Sequence, residues 1–387
     1  MAKPGDMVLL YAPPWDAPTR FSKHHLAAFL AARGWRVLYV EAPLTPLGLR
    51  RGRAFVPELL RSLLPPRQIG RALWTRRCFT PIPYHAASRF TNRRAANRLG
   101  QRLLGRVLRG DLRRLGFRAP IIIAGLPHAV DVLDALPHRG LVYHCADDYV
   151  HVRGFPTSLP ELEAELCRRA DLVVTTSRTL CEERVRYNAQ THWVPNGVEV
   201  DRFSRPAAPA IELARIGRPV VGFVGGLSQW LDIGLLAHIA RERPGWSLAL
   251  IGPASVDLSR LDGLANVHRL GPRPYRDLPR YLAGMDVALV PFVQDSVTWH
   301  ADPIKTYEYL AAGLPVVATD LPALRRLGDV VRLATSPETF VNQIQAALNE
   351  GRDTRRAERQ AEAARHSWTS RFERFEQLLD ASLGCPT

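Results

Sequence analysis

Residues His300 to Asp320 read His-Ala-Asp-Pro-Ile-Lys-Thr-Tyr-Glu-Tyr-Leu-Ala-Ala-Gly-Leu-Pro-Val-Val-Ala-Thr-Asp. The order is a loop, a helix, a tight Gly-Leu-Pro turn and a buried strand. Asp302 is placed to cap the helix, and Pro303 suits its first position, where an N–H would go unbonded anyway. Lys305 and Thr306 then fall in the first turn, whose unpaired N–H groups attract anions. Glu308 lies one turn beyond Lys305, on roughly the same face. A cation and a carboxylate at one helix mouth suit a ligand with phosphates at one end and sugar hydroxyls at the other. The same spacing also describes an ordinary surface pair of little energetic weight.

Working outward, short apolar runs alternate with helical patterns along the whole chain. The runs are Val8–Ala12, Val37–Val40, Ile121–Ala124, Leu141–Cys145, Leu172–Thr175 and His192–Val194, then Val220–Val224, Leu248–Ile251, Val267–Leu270, Val287–Val290, Val316–Ala318 and Val330–Leu333. Most are continuous rather than alternating, as in strands covered on both faces. Helical segments between them, such as Phe21–Arg33, Pro160–Arg169, Leu231–Arg241 and Phe340–Glu350, read as crossovers. The pattern predicts an α/β protein with two doubly wound, Rossmann-like domains of about six strands each. Their boundary is expected at Pro195-Asn196-Gly197-Val198, a turn signal followed by a polar stretch. The domains then run over 1–198 and 199–366, and a terminal segment, 367–387, carries an aromatic helix from Trp368 to Leu383. Residues 44–118 are expected to be helical.

The His300–Asp320 stretch and the Asn196-Gly197-Val198 junction resemble the nucleotide-sugar motif and domain junction of bacterial GT-B fold glycosyltransferases, of the group 1 or family 4 kind. The Pro-Ile-Lys-x-Tyr-Glu-Tyr-Leu-Ala-Ala-Gly form is similar to that of enzymes building teichuronic-acid-like polymers and exopolysaccharide. There is also a distant likeness to xanthan-type glucuronosyltransferases. The resemblance implies that the two domains face each other across a cleft and that the last helix crosses back onto the first. It implies that Glu308 holds the donor ribose. In many members another glutamate stands eight positions earlier and contacts the donor sugar; here that position is His300. Members also commonly carry an arginine and a lysine after the first strand of the second domain, and this chain has neither in Gly225-Gly226-Leu227-Ser228-Gln229-Trp230. Lys305 and Thr306 are then expected to bear more of the diphosphate, and no catalytic metal or cofactor is implied.

Composition narrows the partners. The 387 residues carry a net charge of +15. Between Gly48 and Pro120 stand 18 arginines, no lysine, and only Glu58 and Asp111 as acids. That segment alone sums to +16, so the rest is about neutral. A nucleic-acid surface, an anionic-membrane surface and a plain solvated surface all fit such a charge. Arginines interleaved with leucine and tryptophan, as in Arg61-Ser-Leu-Leu and Arg71-Ala-Leu-Trp, favour a peripheral membrane surface over a nucleic-acid stripe. Five scattered cysteines (Cys78, Cys145, Cys167, Cys181 and Cys385) show no metal or disulfide spacing and point to a reducing, cytoplasmic setting. The run from Met1 to Tyr11 is expected to carry no secretory leader, and no apolar run reaches the ~18 residues of a membrane span.

Ligands in open α/β sheets sit beyond the carboxyl ends of the strands, so those segments supply the remaining candidates. Gly225 and Gly226 allow close backbone approach to phosphates, or simply make a tight turn. Arg273 and Tyr275 are candidates for stacking on a nucleobase, or merely lead into the next helix. In the first domain, Trp15, Asp16, Arg20 and His24 are candidate acceptor contacts. Asp147 and Asp148 follow a buried strand, where a catalytic acid or base is needed, or else cap a following helix. His24 and His25 are adjacent and lack an i,i+4 partner, which argues against a metal site. The leading expectation is transfer from a nucleotide-sugar donor, UDP-linked before GDP-linked, to a saccharide or lipid-linked acceptor. An epimerase of the same fold and a non-catalytic membrane-docking scaffold are the alternatives.

Overall fold

The computed structural model describes residues 5–84, 86 and 90–384. Arg89, Cys385 and the first residues of the N-terminal run lie outside the described residues. The chain divides into two compact units. One comprises the residues up to Ala17, Phe21–Pro195 and those from Phe372 on; the other comprises Pro18–Arg20 and Asn196–Arg371.

The first unit is built on an eight-stranded sheet. Its strands are β1 (Asp6–Ala12), β2 (Arg36–Glu41), β3 (Arg67–Gly70), β4 (Leu73–Arg76), β5 (Ile121–Ala124), β6 (Gly140–Cys145), β7 (Leu172–Thr175) and β8 (Thr191–Trp193). Their order is β3-β4-β2-β1-β5-β6-β7-β8, parallel except for the β3/β4 hairpin. The chain winds one way from β1 through β2 and the other way from β5, so the switch point lies between β1 and β5. Strands β5, β6 and β7 are buried at every residue, because helices cover both faces.

The region 44–118 departs from the helical expectation. It contains a 3-10 segment (Pro46–Phe55) and helices Val56–Ser62 and Arg94–Leu115, but also β3 and β4. Strand β4 pairs parallel to β2, and β3 antiparallel to β4, which together bring the count to eight rather than six. The long helix buries Ala96, Gly100, Leu104, Leu108 and Leu112 along one stripe at four-residue spacing. Asp111 lies on that buried side and pairs with buried Arg76 at 2.6 Å, which accounts for one of the segment's two acids. The last helix, Trp368–Leu383, packs its Phe372 ring on Phe29 at 5.5 Å, and Glu376 pairs with Arg33 at 3.1 Å.

The second unit holds a six-stranded, all-parallel sheet: β9 (Val220–Val224), β10 (Ser247–Ile251), β11 (Val267–Gly271), β12 (Val287–Val290), β13 (Val316–Thr319) and β14 (Val331–Ala334). The order is β11-β10-β9-β12-β13-β14, with the switch point between β9 and β12. Every residue of β9, β10, β12 and β13 is buried, which is why these runs read as uninterrupted apolar stretches. This is the expected doubly wound α/β architecture, two Rossmann-like sheets in one chain.

Candidate functional site

In the second unit the chemistry gathers at the carboxyl end of β9. The helix Ile304–Ala311 is fixed there by one side chain. The Val224 N–H donates to Tyr309 Oη at 2.9 Å, and the Tyr309 O–H donates back to the Val224 carbonyl at 3.1 Å. This pair of hydrogen bonds satisfies the last backbone groups of β9 and sets the helix against the strand end. Glu308, one residue earlier, is buried (1% exposed). Lys305 Nζ donates to Glu308 Oε2 at 2.7 Å. The other carboxylate oxygen, Oε1, is buried with no hydrogen-bond partner, and so is Thr306 Oγ1. An unpaired buried oxygen is costly, so these two atoms stand out as acceptors the protein itself does not use. The plain surface pair is excluded, since the Lys305 and Glu308 side chains are only 12% and 2% exposed.

Glycines shape the floor. Gly252, after β10, has φ +149, and a Cβ there would stand 1.8 Å from the Gly225 carbonyl oxygen. Gly225 in turn donates its N–H to Ile251 at 2.9 Å. The two backbones therefore cross in contact, which only glycine permits. Gly226 has nothing within 4 Å of a built Cβ, so its backbone faces open space. A small recess is lined by Val224, Gly225, Gly252, Pro253, Arg273 and Lys305.

Several expected roles need correction. Asp302 does not cap the helix, which begins after Pro303 without a side-chain cap. Its carboxylate accepts from the Asn196 N–H at 2.8 Å and from the Tyr307 hydroxyl, and Arg326 approaches it at 3.4 Å. Burial pushes the Asp302 carboxyl up, opposed by Arg326. It is thus the anchor of the Asn196 junction, 106 residues away in sequence. Arg273 lines the recess but spends its guanidinium on Tyr281 and on Glu212 at 3.2 Å. Tyr275 sets its ring edge-on to Phe203 at 5.7 Å, with Arg202 5.3 Å over it. His300 is buried, its Nδ1 bonded to the Ser296 carbonyl at 2.6 Å.

In the first unit the two aspartates separate. Asp148 is buried, accepts from Arg184 at 3.2 Å, and pairs with His151 Nδ1 at 2.5 Å. Arg184 also binds Glu163 at 3.0 Å, and Glu163 accepts from the Tyr143 hydroxyl at 2.6 Å. Asp148 is therefore part of an internal charge network. Asp147 is exposed, and no hydrogen bond or ion pair engages its carboxylate among the described residues. Desolvation by the surrounding protein nonetheless pushes that carboxyl up to about 6, with Lys23 opposing and Asp148 reinforcing the shift. Neither aspartate caps a helix, for the next one starts at Leu159.

Of the acceptor candidates, Trp15 and His24 come together, their ring centroids 5.5 Å apart. The Phe21 N–H donates to His24 Nδ1 at 3.1 Å, and His24 Nε2 meets the Pro14 carbonyl at 3.0 Å, so both ring nitrogens serve the local backbone. Trp15 packs on Tyr39 at 5.1 Å. Asp16 is exposed, 3.5 Å from both Arg61 and Arg67. Arg20 lies in the segment grouped with the second unit, not the first. A residue not singled out from the sequence is Lys23, buried in the first turn of the helix Ser22–Ala32. Its signal was faint: a lysine at the positive end of a helix whose first turn holds no acid.

Residues 218–350 match the family model described as glycosyl transferases group 1. Over 207 residues the chain is 30% identical to TuaH of Bacillus subtilis (strain 168), named as a teichuronic acid biosynthesis glycosyltransferase. That match spans 48% of this chain and 52% of TuaH, about half the length of that relative. Among solved structures, the sucrose-phosphate synthase of Thermosynechococcus elongatus aligns with a TM-score of 0.73 at 16% identity, covering 97% of this chain and 98% of that one. Anabaena Alr3699/HepE, solved in complex with UDP, aligns with a TM-score of 0.64 at 17% identity, covering 97% and 100%. An E. coli trehalose-6-phosphate structure with UDP-2-fluoro glucose bound gives 0.68 at 13% identity, covering 99% and 100%. Together these likenesses establish the GT-B fold.

Proposed function

Because residues 218–350 form a glycosyl transferases group 1 domain on a GT-B fold, we propose that this chain moves a sugar from a nucleotide-sugar donor to a saccharide or lipid-linked acceptor. The observation that carries this reading is the unpaired, buried Oε1 of Glu308 beside Lys305 at the switch point of the second sheet. A carboxylate oxygen there accepts hydrogen bonds from the two hydroxyls of a ribose. Lys305 and the N–H groups of the first helical turn face the diphosphate, together with the Gly225–Gly226 backbone. A UDP donor is favoured because HepE and the E. coli structure were solved with UDP and a UDP sugar.

In the reaction the acceptor oxygen forms a bond to the anomeric carbon, and the bond from that carbon to the diphosphate oxygen breaks. The diphosphate leaves with the electron pair, and positive groups fixed in advance stabilise it. The acceptor hydroxyl loses its proton, and the raised carboxyl of Asp147 supports assigning that base role to it. Its carboxyl, raised to about 6, is ionised at neutral pH yet basic enough to act. Asp148 serves by holding the strand end through Arg184.

A second element of the reading concerns where the enzyme works. Arg98, Arg102, Arg106 and Arg109 are exposed on the long helix beside exposed Leu99, Leu103 and Val107. Leu60, Leu63 and Leu64 are exposed near Arg61 and Arg67. No helix among the described residues is long and apolar enough to cross a membrane. Apolar side chains flanked by arginines fit the headgroup layer of an anionic bilayer, which would place the enzyme on its cytoplasmic face near a lipid-linked acceptor.

Calorimetric titration with UDP and GDP tests the donor site. One nucleotide should bind, and binding should be lost in both Glu308→Ala and Lys305→Ala. A folded chain that binds neither nucleotide would overturn the transferase reading in favour of a scaffold. An epimerase would instead convert its nucleotide sugar with no acceptor present.

A further inference from the structure

Lys23 is held in a position that elementary electrostatics disfavours three times over. Its side chain is buried, at 5% exposure. It stands in the first turn of a helix, where the dipole repels cations. No carboxylate comes within ion-pair distance of it among the described residues; Asp147 acts on it only from farther off. Burial accordingly pushes the ammonium down to about 8, which still leaves it charged at neutral pH.

The surroundings look built around that ammonium. The lysine stem passes over Gly125, directly after β5, where a Cβ would stand 2.4 Å from Lys23 Cε and 2.8 Å from the Tyr11 carbonyl. Tyr11, in β1, has φ +64, a conformation that residues with side chains seldom adopt. Lys23 thus rests between the ends of β1 and β5, the switch point of the first sheet. His144, in the neighbouring β6, is buried with its Nδ1 unpartnered. Burial and the Lys23 charge hold its imidazole neutral, so it keeps one N–H to donate. A buried ammonium with no ion-pair partner among the described residues, beside a buried imidazole nitrogen left unbonded, calls for an anion.

We propose that Lys23, with His144 beside it, forms a subsite at the switch point of the first sheet for an anionic group, a phosphate or a carboxylate, carried by the acceptor. This rests on the transferase reading and specifies its acceptor: a sugar phosphate or a uronate rather than a neutral sugar. Asp147 then receives the hydroxyl proton from the same molecule.

The test uses the full chain and its Lys23→Met and Lys23→Arg variants. Inorganic phosphate, D-glucuronate and D-glucose are titrated by ligand-observed NMR, and UDP by calorimetry. Phosphate or D-glucuronate should bind the parent saturably, and whichever is tighter names the acceptor's anionic group. D-glucose should bind at least about tenfold more weakly, since it lacks the charge-assisted bond. Lys23→Met, which keeps the stem and drops the charge, should lose about tenfold or more in anion affinity and keep its UDP affinity. Lys23→Arg keeps the charge and the anion, which separates a binding loss from a folding loss. Equal anion binding by Lys23→Met and parent would overturn the proposal. So would a parent that binds UDP but neither anion, or a Lys23→Met chain that loses UDP, which would assign the lysine to the donor diphosphate. A parent that binds no UDP would remove the transferase reading itself, and the acceptor assignment with it.

Discussion

Glu308 and the Asp147–Asp148 pair are acids at equivalent places, each beyond the carboxyl end of a buried parallel strand. They differ in what their neighbours leave undone. Glu308 has one oxygen satisfied by Lys305 and the other unpaired. In the first unit these two conditions fall to different residues. Asp148 is held by Arg184 and His151, while the exposed carboxylate of Asp147 takes part in no hydrogen bond or ion pair among the described residues. Just past the end of β6, one of two adjacent acids is drawn into the core and its neighbour faces out. A carboxylate's role is thus set by which of its oxygens the fold has already used.

The largest effects should come from splitting that pair. Asp148→Ala leaves Arg184 undercompensated in the core and should cost about 3–5 kcal/mol of stability, seen as a lower midpoint in urea. Asp147→Asn should not lower the midpoint, since a carboxyl raised on folding costs stability at neutral pH and the amide removes that cost, and it should lower kcat by about 10²–10⁴-fold, as for a lost general base. The parent's kcat/KM should also rise with pH through about 6 as Asp147 ionises, and the Asn variant should lack that limb. If Asp148→Asn loses activity at full stability while Asp147→Asn does not, the assignment is reversed.

The comparison sharpens on the donor side. Glu308→Gln keeps the shape but removes the charge, and should weaken UDP by about 1.5–3 kcal/mol, or roughly 10- to 150-fold by calorimetry. Next comes the basic surface. Arg102→Ala with Arg106→Ala should weaken sedimentation with phosphatidylserine vesicles by about 2 kcal/mol, at about 1 kcal/mol per arginine. UDP affinity should not move, and an unchanged vesicle affinity would leave that face a merely solvated one. The smallest effect is expected at Arg273. Its guanidinium is already committed to Glu212 and Tyr281, so Arg273→Ala should change UDP affinity by less than about threefold.

Much of this fold was legible because both sheets are covered on both faces. Strands such as Val220–Val224 and Val287–Val290 could be bounded from the apolar runs alone. The β3/β4 hairpin was not, since β3 is largely exposed and β4 contains Thr75 and Arg76. Arg76 reads as a surface residue until Asp111, 35 residues on, is seen against it. Asp302 failed as a cap for the same reason: its partner, Asn196, is remote in sequence. The Lys305–Glu308 pairing is local, so spacing found it, whereas the unpaired oxygen that gives the pair its meaning is a tertiary fact. Lys23 was hidden beside two histidines, and only Gly125, about a hundred residues away, makes it conspicuous.

The crossing of Gly225 and Gly252 bears on how this protein can vary. Position 252 is closed: the carbonyl beneath it occupies the space of any side chain, and the φ excludes nearly every residue with a Cβ. Position 226, the residue after 225 on the same floor, leaves a side chain room, with nothing within 4 Å of a built Cβ. A lineage or a library selecting for a different donor is therefore free to place a new group at 226 and never at 252. The routes by which this site can acquire another specificity are channelled through a single residue of its glycine pair, with the crossing itself held fixed.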